Sequence, residues 1–179
     1  MSLRRWSVPL AGLVLMIALG TFGWFNYQRV QASPAQQQQP LVYSVKYVCG
    51  RAVEGDPLKA TVRPGLYATE INIHNFHTYG LDVRKRVIPL VYEGQPIGRE
   101  PNYGKVTATD GISLPPDTAT MDDCPRIVRE LLGAGGGGLH IGYLELISLQ
   151  PLAVDAVYTA QGADGGVSID VQRVRGLPQ

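Results

Sequence analysis

The sequence predicts an all-β protein: an antiparallel, Ig-like β-sandwich of about 7–8 strands with one short helix, preceded by an N-terminal transmembrane or signal helix. Three observations carry this. Apolar residues alternate with polar ones from Leu41 onward, clusters of Gly, Pro and Asn interrupt the alternation at regular intervals, and the stretch before it is apolar without any period.

The N-terminal stretch comes first. "MSLRR" is basic, and residues 6–25, "WSVPLAGLVLMIALGTFGWF", carry no charge. As a helix rising about 1.5 Å per residue, that run reaches about 30 Å, the thickness of a hydrocarbon core. Pro9 falls in the first turn, where its missing N–H costs little. Arg4 and Arg5 favour a cytoplasmic N-terminus, with Trp24 and Tyr27 at the far interface. The competing reading is a signal peptide cut near Ala32, after "VQA". The run exceeds the apolar core of about 7–15 residues usual in signal peptides, which favours an uncleaved anchor. Residues 26–40, "NYQRVQASPAQQQQP", are polar and contain proline, the composition of a flexible tether.

The expected organisation is therefore a signal-anchor or signal peptide (1–25), a Gln/Pro-containing tether (26–40) and an extracytoplasmic domain (41–179). The expected location is the cytoplasmic membrane, single-pass, with the C-terminal domain outside, or secretion if the chain is cut near Ala32. Residues 6–25 make the lipid bilayer the first partner. Without Arg4, Arg5 and Arg29 the chain keeps 13 basic and 15 acidic side chains, a net charge of −2. That balance argues against a nucleic-acid partner, which needs a basic field. "RKR" at 84–86 alternates faces in a strand and forms no patch.

The elements follow in order. "LVYSVKYVC" sets Tyr43, Val45, Tyr47 and Cys49 on one face. "GLYATEINIHN" groups Tyr67, Thr69, Ile71, Ile73 and Asn75, leaving Glu70, Asn72 and His74 on the polar face. "LDVRKRVIPLVY" aligns Val83, Lys85 and Val87, and its Pro89 predicts an edge or a bulge. "GISLPPDTATMDD" reads as two short strands around a Pro-Pro turn. "RIVRELL" reads as about two helical turns, with Asp123 or Cys124 as cap, Pro125 at the start and Gly133 at the end. "LHIGYLELISLQPLAVDAVYTA" reads as a hairpin reversing at "SLQP". "GVSIDVQRV" closes the domain, with Val167, Ile169 and Val171 expected to point inward.

Candidate chemistry is sparse. Cys49 and Cys124 are the only cysteines, and outside the cytoplasm they are expected to form a disulfide. A reactive thiol at Cys124 is the rival, opposed by the carboxylates of Asp122 and Asp123. His74, His77 and His140 are the candidate metal ligands. On a continuing strand His74 and His77 face opposite ways, and no four-ligand zinc spacing is present. The simpler reading of "TEINIHNFHTYG" is a strand end and turn, with Asn75, Thr78 and Gly80 as turn formers and both histidines at the surface. "GAGGGG" (133–138) matches a dinucleotide fingerprint in letters, but a helix precedes it and a strand follows, the reverse of what a pyrophosphate site needs. Residues 98–105 miss a phosphate loop in spacing and in the metal-binding hydroxyl. No nucleophile elbow or paired carboxylate stands out, so neither a catalytic residue nor a cofactor is expected, and the chain reads more as a non-enzyme than as an enzyme.

"YSVKYVCG", "RPGLYATEINIHN", "MDDCP", "LELISLQPLAVDAVYTA" and "VSIDVQRV" together resemble a family of bacterial exported or membrane-anchored β-sandwich proteins with no assigned activity. The resemblance implies a location and a sandwich, not a chemistry. The expected function is a membrane-anchored extracytoplasmic binding or scaffolding module of the bacterial cell envelope. Its partner would be an envelope protein, a polysaccharide or a second copy of the chain docking on an edge strand. The alternative is an exported metal-binding protein or metal-dependent enzyme using His74, His77 and His140.

Overall fold

The computed structural model describes residues 39–55, 60–135 and 137–179. The anchor or signal segment and nearly all of the tether lie outside the described residues. Among the described residues no helix is long and apolar enough to cross a membrane.

The unit Gln39–Gln179 is all-β, antiparallel and sandwich-like. Its strands are β1 (Leu41–Ala52), β2 (Gly65–Asn75), β3 (Leu81–Tyr92), β4 (Gln95–Pro96), β5 (Ala108–Leu114), β6 (Thr118–Asp123), β7 (His140–Ser148), β8 (Ala153–Gly162), β9 (Val167–Val174) and β10 (Leu177–Pro178). The expected seven or eight become ten because two-residue pieces, β4 and β10, patch the edges of β3 and β1. The hydrogen-bonded order is β4-β3-β7-β1-β2-β8-β9, with β5 on β3, β6 on β2 and β10 on β1.

The path bends into two layers at β1. Residues 41–49 of β1 pair with β7, and residues 50–52 pair with β2. Gly50 makes the bend: its φ is +100°, and a Cβ there would collide with the carbonyl of Gly138. One layer holds β3, β4, β5, β7, β10 and most of β1. The other holds β2, β6, β8 and β9.

The period-two faces supply the core between the layers. Tyr43, Val45, Tyr47, Val83, Val87, Leu144 and Leu146 meet Ile71, Ile73, Val154 and Ala156, all buried. A disulfide and an ion pair cross the core. Cys49 and Cys124 form the expected disulfide, with Cα atoms 5.5 Å apart. Lys85 on β3 reaches Asp122 on β6, with Nζ 2.8 Å from each carboxylate oxygen and both side chains almost wholly buried. In that dry position the ammonium needs its carboxylate.

Other expectations are met or corrected locally. Pro89 sits at a register shift between β3 and β7, so the bulge reading holds. The helix is a six-residue π-helical turn, Arg126–Leu131, and Asp123 Oδ1 accepts the N–H of Arg126 at 2.9 Å. Gly133 follows at φ +64°. The expected hairpin over "SLQP" is not one: β7 pairs with β1 and β3, β8 pairs with β2 and β9, and residues 149–152 carry the chain from one layer to the other. The pattern could not separate the two cases, because a layer crossing and a hairpin both reverse the chain at a proline-containing turn.

The closing strand is the other correction. Val167, Ile169 and Val171 do not point inward; they are 62%, 66% and 64% exposed. The β8–β9 register decides this. Val154 and Ala156, which face the core, stand opposite Val174 and Gln172, so Val171 and Ile169 lie beside the outward-facing Val157 and Thr159.

Candidate functional site

The stretch Thr69–Gly80 ends β2 and starts one of the crossings between layers, and two further crossings lie beside it. Residues 76–80 link β2 to β3, 115–117 link β5 to β6, and 149–152 link β7 to β8. All three gather at one end, and Asn75 ties two of them together. Its buried amide donates to the carbonyls of Tyr79 (2.8 Å), Leu114 (3.2 Å) and Pro115 (2.8 Å), while its Oδ1 accepts the N–H of His77 at 3.0 Å. A side-chain amide supplies donors and an acceptor at one point, which suits it to a loop knot.

His77 secures the third crossing. Its Nε2 lies 2.8 Å from the carbonyl of Pro151. A carbonyl can only accept, so Nε2 carries the proton and the tautomer is fixed. The ring stacks between Phe76 at 4.3 Å and Tyr79 at 5.0 Å. The expectation that His77 is a plain surface residue is therefore corrected: it is a clasp, half-buried. His74 fits its surface assignment, on the polar face of β2 with Nε2 3.6 Å from Asp117 Oδ1.

The three histidines are not brought together. Phe76 stands beside both His74 and His77, with ring centroids 6.5 Å and 4.3 Å away. His140 lies near the other end, opposite Cys49 in the β1–β7 ladder. Val48, next to Cys49, hydrogen-bonds Thr69, and His74 is five residues further along β2, roughly 16 Å at the rise of a strand. Among the described residues no group of three His, Cys, Asp or Glu side chains is arranged to hold a metal ion. A metal site using all three imidazoles has no geometric basis.

His140 has its own setting, which the sequence did not signal. The ring is buried, stands edge-on to Tyr92 at 5.3 Å, and lines a cavity of about 140 Å³ with Cys49, Cys124, Pro125, Val128 and Arg129. Neither ring nitrogen has a protein partner among the described residues. The cavity has room for water to serve both. Burial pulls the imidazole pKa below its usual 6.5, against a weaker upward pull from Glu93. A neutral buried imidazole could exchange a proton, but the nearest sulfurs are locked in the disulfide and cannot act as nucleophiles.

Among the described residues, β9 is the longest strand bonded on one side only. Every residue from Val167 to Arg173 is exposed, and the strand is bonded on one side only, to β8. Compared with protein-family models, curated proteins and solved structures, the chain has no match.

Proposed function

We propose that this chain is a membrane-anchored, extracytoplasmic module of the bacterial cell envelope, built on an Ig-like sandwich, that binds or scaffolds rather than catalyses. One observation carries the binding reading: among the described residues strand β9 is uncovered, with three large apolar side chains exposed and one backbone edge unpaired. Such an edge is a template for another strand, and folded proteins usually blunt it with lysine, proline or brevity. Here β4 and β10 are two residues long and each contains proline, whereas β9 runs eight residues with neither lysine nor proline. The apolar, charge-free run of residues 6–25 supports the anchor, and the disulfide suits an oxidising compartment.

The test is in-cell photo-crosslinking of the full chain, with the photoreactive residue at position 169 or, as a control, at the exposed Ser44 of β1. Adducts of defined mass from position 169 and none from position 44 are expected. No adduct from position 169 would remove β9 as a contact surface and leave the binding reading without its support.

A further inference from the structure

We propose that the partner of β9 is β9 of a second copy of this chain, paired antiparallel about a two-fold axis at Ile169. This rests on the preceding reading of β9 as a contact surface, and it specifies the occupant.

A two-fold interface must be self-complementary, since each residue meets the same patch from the other side. The stretch Val167-Ser168-Ile169-Asp170-Val171 has that property. Read from either end it runs apolar, polar, apolar, polar, apolar, so antiparallel pairing about its centre matches like with like. Val167 then stands opposite Val171 of the other copy, Ile169 opposite Ile169, and Ser168 opposite Asp170. Opposed residues share a face in an antiparallel pair, so all the apolar contacts gather on the outer face of a sheet continuous through both copies.

The neighbouring registers are worse for nameable reasons. Centring on Asp170 sets two carboxylates directly opposite each other, a destabilising pairing. It also puts Val167 against Arg173. Centring on Val171 sets Ile169 against Arg173, whose guanidinium is held by Asp155 at 2.6 Å within its own chain. The register about Ile169 moves the two Asp170 carboxylates to diagonal positions and leaves Arg173 with Asp155. A slip by one residue would set Ile169 opposite Asp170 and turn the second copy's apolar face to the other side of the sheet, which a two-fold axis does not allow.

An unrelated strand could use the same free backbone edge, but it would need its own matching side chains. The second copy carries them already. The length is also right for self-pairing: among the strands bonded on one side only (β4, β5, β6, β9 and β10), β9 is the longest.

The disulfide makes the test clean. Cys49 and Cys124 are bonded to each other, so one introduced cysteine is the only free thiol. Full-length chain in detergent is oxidised mildly as four samples: Ile169→Cys, an equal mixture of Val167→Cys and Val171→Cys, and each of these two alone. Opposed Cβ atoms lie about 4.5–5.5 Å apart, close enough for a disulfide after small adjustment, whereas Val167 and its own copy stand about 13 Å apart along the strands. Covalent dimer is expected from Ile169→Cys and from the mixture, with at least tenfold less from Val167→Cys or Val171→Cys alone. Light scattering of the unmodified chain should give twice the chain mass, and Ile169→Lys should return it to one.

Dimer from Val171→Cys alone would overturn the register. A chain that stays at single mass by light scattering, while position 169 still gives adducts of another mass in cells, would overturn the second copy as occupant and leave β9 as a contact surface. Loss of adducts altogether would remove both readings. Each cysteine variant is also unfolded in urea, and an unchanged midpoint shows that loss of dimer is not loss of fold.

Discussion

Strands β2 and β9 are written in the same alphabet and meet opposite fates. In β2, Ile71 and Ile73 alternate with Glu70, Asn72 and His74, and both isoleucines are 0% exposed. In β9, Val167, Ile169 and Val171 alternate with Ser168, Asp170 and Gln172, and the apolar residues are about two-thirds exposed. Alternation states which residues share a face. It does not state which way that face points or whether anything covers it. Position in the sheet decides that: β2 lies between β8 on one side and β6 and the tip of β1 on the other, whereas β9 ends the path.

That contrast can be broken or sharpened by mutation, beginning with the layer-crossing groups. Lys85→Ala should cost about 3–5 kcal/mol, because it leaves the buried Asp122 carboxylate with only the Arg126 guanidinium, at 4.0 Å. Lys85→Met with Asp122→Leu should recover most of that loss in urea unfolding; a double variant as weak as the single one would show that the pair contributes more than mutual neutralisation. Next, Ile73→Ala should cost about 2–5 kcal/mol, as emptying a core position does. His77→Ala should cost about 1 kcal/mol through its bond to Pro151, and His74→Ala no more than about 0.5 kcal/mol. Equal effects at the two histidines would refute the clasp.

His140 gives the contrast a pH axis. Its folded pKa lies below 6.5, so the folded state disfavours the charged ring. The contribution of the neutral ring is fully present above about pH 6.5 and is lost as pH falls through the folded value. Denaturation midpoints should therefore drop more from pH 7.5 to pH 5 in the native chain than in His140→Leu. A matching drop in both would mean that other groups govern acid sensitivity. The smallest stability effect is expected at β9: Ile169→Ser should shift the stability of a dilute, single chain by no more than about 0.5 kcal/mol. A loss as large as that of Ile73→Ala would mean that β9 is buried after all.

Much of the fold was legible. The faces of β1, β2 and β3, the bulge at Pro89, the stop at Gly133 and the disulfide all follow from local pattern or compartment. What pattern could not supply was the third dimension. The crossing at 149–152 looked like a hairpin because a turn's letters do not encode which layer the next strand joins. Lys85 stood out between Val83 and Val87 as a charge on an apolar face, but Asp122, its partner, comes from the far layer. His77 hides its role for the same reason: the carbonyl it holds is 74 residues away in sequence. The open edge at β9 is visible in the sequence only as a general liability of strands, since alternation by itself assigns its apolar residues to the core.

Asn75 has a consequence for how this chain can drift over generations. Its amide reaches backbone carbonyls on two separate crossings, and its carbonyl oxygen sets up His77, which holds the third. An insertion or deletion in any one of these loops would misplace an atom that another loop depends on. Length variation is therefore closed off at this end, although its loops are exposed, and is left to the excursion of residues 97–107 and the turn at 163–166. A recognition epitope grafted into 163–166 should leave the layers intact, and the same graft into 115–117 should not.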